Sequence, residues 1–152
     1  MRPRTRLLGV DFGTVRIGLS VSDADRRIAS PLGQHRRLGR DRDEQFFRQL
    51  VEREEIGSCI VGLPVHLSGQ EGEKAKQART FGAWLVQVTG LPVLFWDERF
   101  TTVEAENSLL SAGLTNKKRK ARRDQVAAQI FLQSYLDAGC PAETTPGPLD
   151  GL

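Results

Sequence analysis

The chain has 152 residues, enough for one domain with a substantial core and too few for the paired-domain clefts in which many nucleotide-binding enzymes enclose their ligand. With 39% hydrophobic and 27% charged residues it has the composition of an ordinary globular protein, and no apolar run is long enough for a secretory signal or a membrane span. Its two cysteines, Cys59 and Cys140, have neither zinc-site spacing nor the density of a disulfide scaffold, which points to the reducing cytoplasm.

In chain order, residues 6 to 12 and 15 to 22 are expected to form two strands around a hairpin, and Ile28 to His35 to add a third after a turn at Asp23 to Arg27. The first helix is expected to begin near Asp41, with Glu44 as its capping-box partner, apolar at Phe46, Phe47, Leu50 and Val51, and ending near Ile56-Gly57. The continuous run Cys59 to Leu63 reads as a parallel strand covered on both faces. Ser68-x-x-Glu71 predicts the next helix start, with Ala75, Ala78, Phe81, Leu85 and Val88 turned to the core and Gly90 as the stop. Pro92 to Trp96 is another buried strand. Thr101-x-x-Glu104 then predicts a helix to about Ala112, and Asp124 to Leu136 a last one carrying Ala127, Ala128, Ile130, Phe131 and Leu132 toward the sheet. The folded domain is expected over residues 1–138, and the Pro- and Gly-rich segment 139–152 is expected to be a disordered tail. This order describes an α/β domain with a five-stranded mixed sheet, its first three strands an antiparallel meander and its last two parallel.

Asp11 stands out because it ends an apolar strand, where a carboxylate is costly unless a cation compensates it. Asp11-x-Gly13-Thr14 is a motif of phosphate chemistry, since Gly13 and Gly18 leave bare backbone beside the turn; a plain turn-capping role for Asp11 is the alternative. Parallel strands put their carboxyl ends on one edge, and this brings Glu98, just past the last strand, and Asp124, at the start of the final helix, within reach of Asp11. Three carboxylates gathered there repel one another unless cations sit between them, and an all-oxygen set selects Mg²⁺ or Mn²⁺ over zinc. Asp97 is the weaker candidate because it faces the opposite side of its strand. His35 and His66 lack partners at zinc spacing and read as ordinary loop residues.

Lys117, Lys118, Arg119, Lys120, Arg122 and Arg123 fall within seven positions directly before Asp124, a loop suited to the phosphates of a polyanion. Arg16 and Arg99, beside the two acidic motifs, are further candidates for contacting the strand or for orienting the carboxylates. Thr14, Thr101 and Thr102 offer hydroxyls that turn and cap roles would equally explain.

Four motifs now stand in order: Leu8-Gly-Val-Asp-Phe-Gly-Thr-x-Arg-Ile-Gly18, Ile60-Val-Gly-Leu-Pro64 with Gly69, Asp97-Glu-Arg-Phe-Thr-Thr-Val-Glu-Ala105, and Arg123-Asp-x-x-Ala-Ala128 running on to Tyr135-Leu136. Together they resemble the YqgF/RuvX family of bacterial RNase H-like nucleases over about residues 6 to 138. The resemblance implies an RNase H-like fold, a Mg²⁺-dependent nuclease with Asp11, Glu98 and Asp124 at its acidic triad, and a role in trimming precursor small-subunit ribosomal RNA. Resolution of Holliday junctions is the older assignment. Phe131, where an aliphatic residue is common, and the longer basic block are departures that leave the triad positions intact. The expected chemistry is phosphodiester hydrolysis with two metal ions. The expected partner is structured RNA or branched DNA, bound by a monomer or, as a resolvase requires, a two-fold homodimer, and no membrane. Two rival readings are an ATPase of the actin and sugar-kinase type, which the short chain disfavours, and a non-catalytic RNA-binding factor in transcription or ribosome assembly.

Overall fold

The computed structural model describes residues 5–66, 68–100 and 116–141, with side chains throughout except at Phe100 and residues 116–125. Three strands come first, β1 (Arg6–Asp11), β2 (Arg16–Ser22) and β3 (Ala29–Arg36), followed by α1 (Arg40–Arg53), β4 (Ile56–Leu63), α2 (Glu73–Thr89), β5 (Val93–Asp97), a 3₁₀ turn (Glu98–Phe100) and α3 (Asn116–Asp137). The sheet runs in the order β3-β2-β1-β4-β5. β2 is antiparallel to both β1 and β3, whereas β4 lies parallel to β1 and β5 parallel to β4. The meander and the parallel half therefore meet at β1, the strand that carries Asp11.

Two cores flank the sheet because each strand alternates its side chains. Leu8, Val10, Cys59, Val61 and Leu63 pack under α1 and α2 with Phe47, Leu50, Phe81 and Leu85. Leu7 and Ile60 face the other way, against Ala128, Phe131, Leu132, Tyr135 and Leu136 of α3. The apolar positions expected of α2 are all buried, and Gly90 ends that helix in the left-handed region at φ 70°.

Four local expectations are corrected. Helix α1 begins at Arg40, near Asp41 as expected, but with Gly39 as its cap and no side-chain cap hydrogen bond in place of the Asp41–Glu44 box, and it ends at Arg53, short of Ile56. The Asp43 carboxylate accepts the Leu38 N–H at 3.0 Å and lies 2.8 Å from His35 Nε2. His35 is thus no loop residue: it sits buried on β3 and stacks on Phe46 with ring centroids 3.8 Å apart. Helix α2 begins at Glu73, because Ser68 Oγ instead accepts the Gln70 N–H within the loop and Glu71 is bound by Arg79 at 2.5 and 2.8 Å. The basic block is not a loop but the first turns of α3, which starts eight residues before Asp124. Lys and Arg are good helix formers, so a helix can hold such a run once its later turns are anchored on the sheet. The helix expected over 101–112 lies outside the described residues, as does the segment from 142 onward.

Candidate functional site

β1 ends at Asp11, opposite Gly18 of β2. Leu7, Gly9 and Asp11 alternate onto the α3 side of the sheet, while Phe12 packs against the core under α2. The hairpin that follows depends on Gly13: a β-carbon there would lie 2.2 Å from the Arg16 carbonyl oxygen, so only glycine lets the backbone fold back this tightly. A cavity of about 310 Å³ opens beside it, lined by Asp11, Thr14, Arg16, Gly18 and Gln34. The placement of Asp11 and Arg16 together in one concavity follows directly from the strand-turn-strand pattern.

Glu98 is turned toward the same side by its neighbours. Asp97 ends β5 facing away from Trp96, and Arg99 folds back onto it, donating its backbone N–H at 2.9 Å and its guanidinium at 2.8 and 2.5 Å. Both side chains are nearly closed to solvent, 6% exposed for Arg99 and 8% for Asp97. A further guanidinium N–H of Arg99 reaches the His66 carbonyl oxygen at 3.1 Å and ties the β4–α2 loop to the turn. With Arg99 engaged on Asp97, the 3₁₀ turn projects Glu98 back over β4. Its carboxylate lies above Gly62, where an added β-carbon would be 2.6 Å from Glu98 Oε1 and 3.0 Å from the Phe131 ring. Gly62 is therefore the cradle of Glu98, a role that glycine inside a buried strand signals in sequence and that the apolar reading of Cys59 to Leu63 passed over.

These two carboxylates share a face and an edge. Val10 pairs with Val61, and Gly62 with Trp96, so Asp11, Gly62 and Trp96 occupy adjacent rungs at the carboxyl ends of the parallel strands. β1 and β5 stand two strands apart, about 10 Å, and the bare backbone of Gly62 between them leaves a floor over which Glu98 reaches back. On its other side Glu98 walls a cavity of about 560 Å³ with His66, Lys74 and Arg99.

α3 reaches the same edge. Ser20 Oγ donates to the Ala128 carbonyl at 2.8 Å, and Gln133 Oε1 accepts the Ala29 N–H at 2.8 Å, which fixes the helix lengthwise across β2 and β3. A β-carbon on Gly9 would touch both Leu132 Cβ and the Ala128 carbonyl. One helical turn back from Ala128 is position 124, and two residues along β1 from Gly9 is Asp11; the two steps are nearly equal, about 6 Å each. The backbone of position 124 thus stands level with Asp11. Among the described residues no three acidic, histidine or cysteine side chains gather as a metal nest; the described side chains contribute Asp11 and Glu98, and that of Asp124 lies outside them. The donors present are carboxylate oxygens, which suit a hard divalent cation.

Comparison with known proteins agrees with this architecture. Residues 5–138 match the family model "RuvX: Holliday junction resolvase". A protein of Rhodopirellula baltica named "Putative pre-16S rRNA nuclease" is 47% identical over 133 residues, covering 88% of this chain and 77% of its own. One of the same name from Agrobacterium fabrum is 36% identical over 137 residues, covering 90% and 86%. Among solved structures, Thermus thermophilus RuvC in complex with Holliday junction substrate superposes with a TM-score of 0.51 at 15% identity, covering 95% of this chain and 99% of that one. The fowlpox virus resolvase, in complex with Holliday junction DNA, gives 0.51 at 11% identity over 90% and 99%. Those two likenesses bear on the fold, which is the RNase H-like arrangement expected from the motifs. The match over nearly all of the described chain, together with relatives at this level of identity, establishes that the protein is a member of the RuvX family.

Proposed function

We propose that this chain is a divalent-metal-dependent nuclease that trims precursor 16S ribosomal RNA in the cytoplasm, with Asp11, Glu98 and Asp124 as its metal-holding carboxylates. The observation that carries the reading is the Gly62 cradle: a buried strand gives up a side chain so that Glu98 can lie on the same face as Asp11. The names of the relatives supply the substrate. Mg²⁺ or Mn²⁺ bound by the three carboxylates would supply the positive charge that favours an ionised attacking water and offsets the charge on the departing oxygen.

The chain's own residues hold and orient. Asp11 is fixed by the β1–β2 ladder and Glu98 by the Arg99–Asp97 clasp, so neither has to be ordered when substrate arrives. Arg16, exposed beside Asp11, is placed to meet a phosphate of the strand being cut. Arg99, committed to Asp97 and the His66 carbonyl, acts as a positioning residue for Glu98 and not as a phosphate ligand. The basic turns of α3, with Lys117, Lys118, Arg119, Lys120, Arg122 and Arg123, supply sequence-independent attraction to the RNA backbone.

A second reading is cleavage of four-way DNA junctions, favoured by the description of the family model. It requires a two-fold dimer, whereas RNA trimming does not. The test is to incubate the protein with labelled precursor ribosomal RNA and with a four-way DNA junction, each with Mg²⁺, Mn²⁺ or chelator. Metal-dependent cut RNA is the expected product, and Asp11→Asn should abolish it while leaving RNA affinity near that of the unaltered chain. Binding without cleavage under every metal condition overturns the nuclease and leaves a non-catalytic RNA-binding factor.

A further inference from the structure

A second cleft lies on the opposite side of the sheet from Asp11 and Glu98. It encloses about 550 Å³ between the β1–β2 hairpin, the first turn of α1 and one side of α2. Its lining combines two chemistries. Phe12 and Trp84, both half-buried, form an aromatic surface over the buried ring of Phe81, whose centroid lies 4.8 Å from that of Phe12 and 5.4 Å from that of Trp84. Arg37, Arg40 and Lys76 add three exposed cations, and among the described residues neither Arg40 nor Lys76 has an ion-pair partner. Of the two acids in the lining, Asp43 is engaged by His35, the Leu38 N–H and, at 3.7 Å, Arg37, and Glu73 is exposed at the start of α2.

We propose that this cleft binds an unpaired nucleotide, its base against Phe12 and Trp84 and its phosphate among Arg37, Arg40 and Lys76. A double-stranded polyanion makes no use of the aromatic surface, and an apolar peptide makes none of the cations. A single nucleotide carries both an aromatic ring and a charge, and stacking of this kind tolerates any base. Arg37 lies over the Phe12 ring, 5.3 Å from its centroid and 3.7 Å from the Asp43 carboxylate, so a base entering the cleft takes the place of this guanidinium on the ring and turns it toward the phosphate.

The cleft also adjoins the Asp11 cavity across the hairpin. Phe12 and Thr14 line both cavities, so the hairpin is the ridge between them. A strand held at Asp11 crosses that ridge and drops its next unpaired nucleotide into the cleft. In this form the inference rests on the nuclease reading; a free nucleotide would satisfy the same chemistry without it.

Trp84 supplies a direct readout, since the only other tryptophan, Trp96, packs against α3 on the far side of the sheet. Metal-free protein is titrated with a short single-stranded oligoribonucleotide, a blunt RNA duplex and AMP, following tryptophan fluorescence in a Trp96→Phe background. Anisotropy of a labelled oligonucleotide is followed in parallel on the chain with both tryptophans. The single strand should quench Trp84 saturably and the duplex should not. The surface variant Arg40→Glu/Lys76→Glu should lose at least about tenfold in affinity for the single strand. Quenching by AMP to the same extent assigns the cleft to free nucleotides. Absence of quenching by both AMP and the single strand, or equal affinities in the two proteins, overturns the proposal. Metal-dependent cleavage without quenching sinks the cleft and spares the nuclease; quenching by a protein that cuts nothing does the reverse.

Discussion

Replacing Gly62 by alanine tests whether the placement of Glu98 matters to chemistry or only to packing. The new methyl group would lie 2.6 Å from Glu98 Oε1, and ordinary contact begins near 3.4 Å, so the carboxylate must retreat by about 0.8 Å. The Phe131 ring, 3.0 to 3.1 Å from the same point, must give only by a few tenths of an ångström. Glu98 is the flexible end of a side chain and moves cheaply, so the stability cost falls at the lower end of the overpacking range, about 1 kcal/mol. The catalytic cost should be far larger, because a displacement near an ångström at a reacting centre costs about a hundredfold in rate. The assay is single-turnover cleavage of labelled precursor RNA in Mg²⁺, with thermal denaturation and RNA affinity measured on the same samples. The expected result is a cooperative fold with near-normal affinity and a rate lower by about two orders of magnitude. A folded Gly62→Ala protein that cuts as fast as its parent would refute the assignment of Glu98 to the metal site.

Three further outcomes follow from neighbouring features. Arg99→Met leaves the Asp97 carboxylate buried without its bidentate partner, and should cost about 2 kcal/mol in urea denaturation while slowing cleavage through loss of the turn that aims Glu98. Asp43 is pushed up by burial but held net below the ordinary carboxylate value by the Leu38 N–H, by His35 and by Arg37. Its contribution to stability is therefore full above about pH 4 and lost as pH falls through the lowered folded value. Asp43→Asn should be less stable than the parent at neutral pH and lose less on acidification, as read by denaturant midpoints from about pH 6 down to pH 3. Changing Lys117, Lys118, Arg119 and Lys120 to glutamine should flatten the dependence of log Kd on log salt by about 0.7 to 0.9 for each phosphate that the helix no longer neutralises.

The parts of this molecule legible in its sequence were those set by periodicity. Alternation around Asp11, the apolar run of β4 and the helical spacing of Ala75, Ala78, Phe81, Leu85 and Val88 each depend on near neighbours, and each is where the pattern puts it. The misplaced start of α2 has a simple cause. Glu71 is an attractive capping group on paper, but Arg79 competes for it, and such a partner is visible only after the chain has folded. His35 was misjudged for the same reason, because a histidine on a mixed polar strand gives no sign that an aromatic ring and a carboxylate wait on a later helix. At the site itself the acids could be named from their motifs. The supporting structure is less legible: the Gly62 cradle acts across strands, and Arg99, a candidate for orienting the carboxylates, takes Asp97 two residues back as its partner.

The crossing of α3 over the opening meander has an implication for how the protein is made. Ser20 and Ala29 take their partners, Ala128, Gln129 and Gln133, from at least 100 positions farther along the chain. A growing polypeptide that has left the ribosome through the 3₁₀ turn already carries Asp11 and Glu98, yet its meander lacks the helix that seats it. Until that helix emerges, Leu7 and Ile60 have no apolar cover from Phe131, Leu132 and Leu136, so one face of the sheet closes only at the end of synthesis.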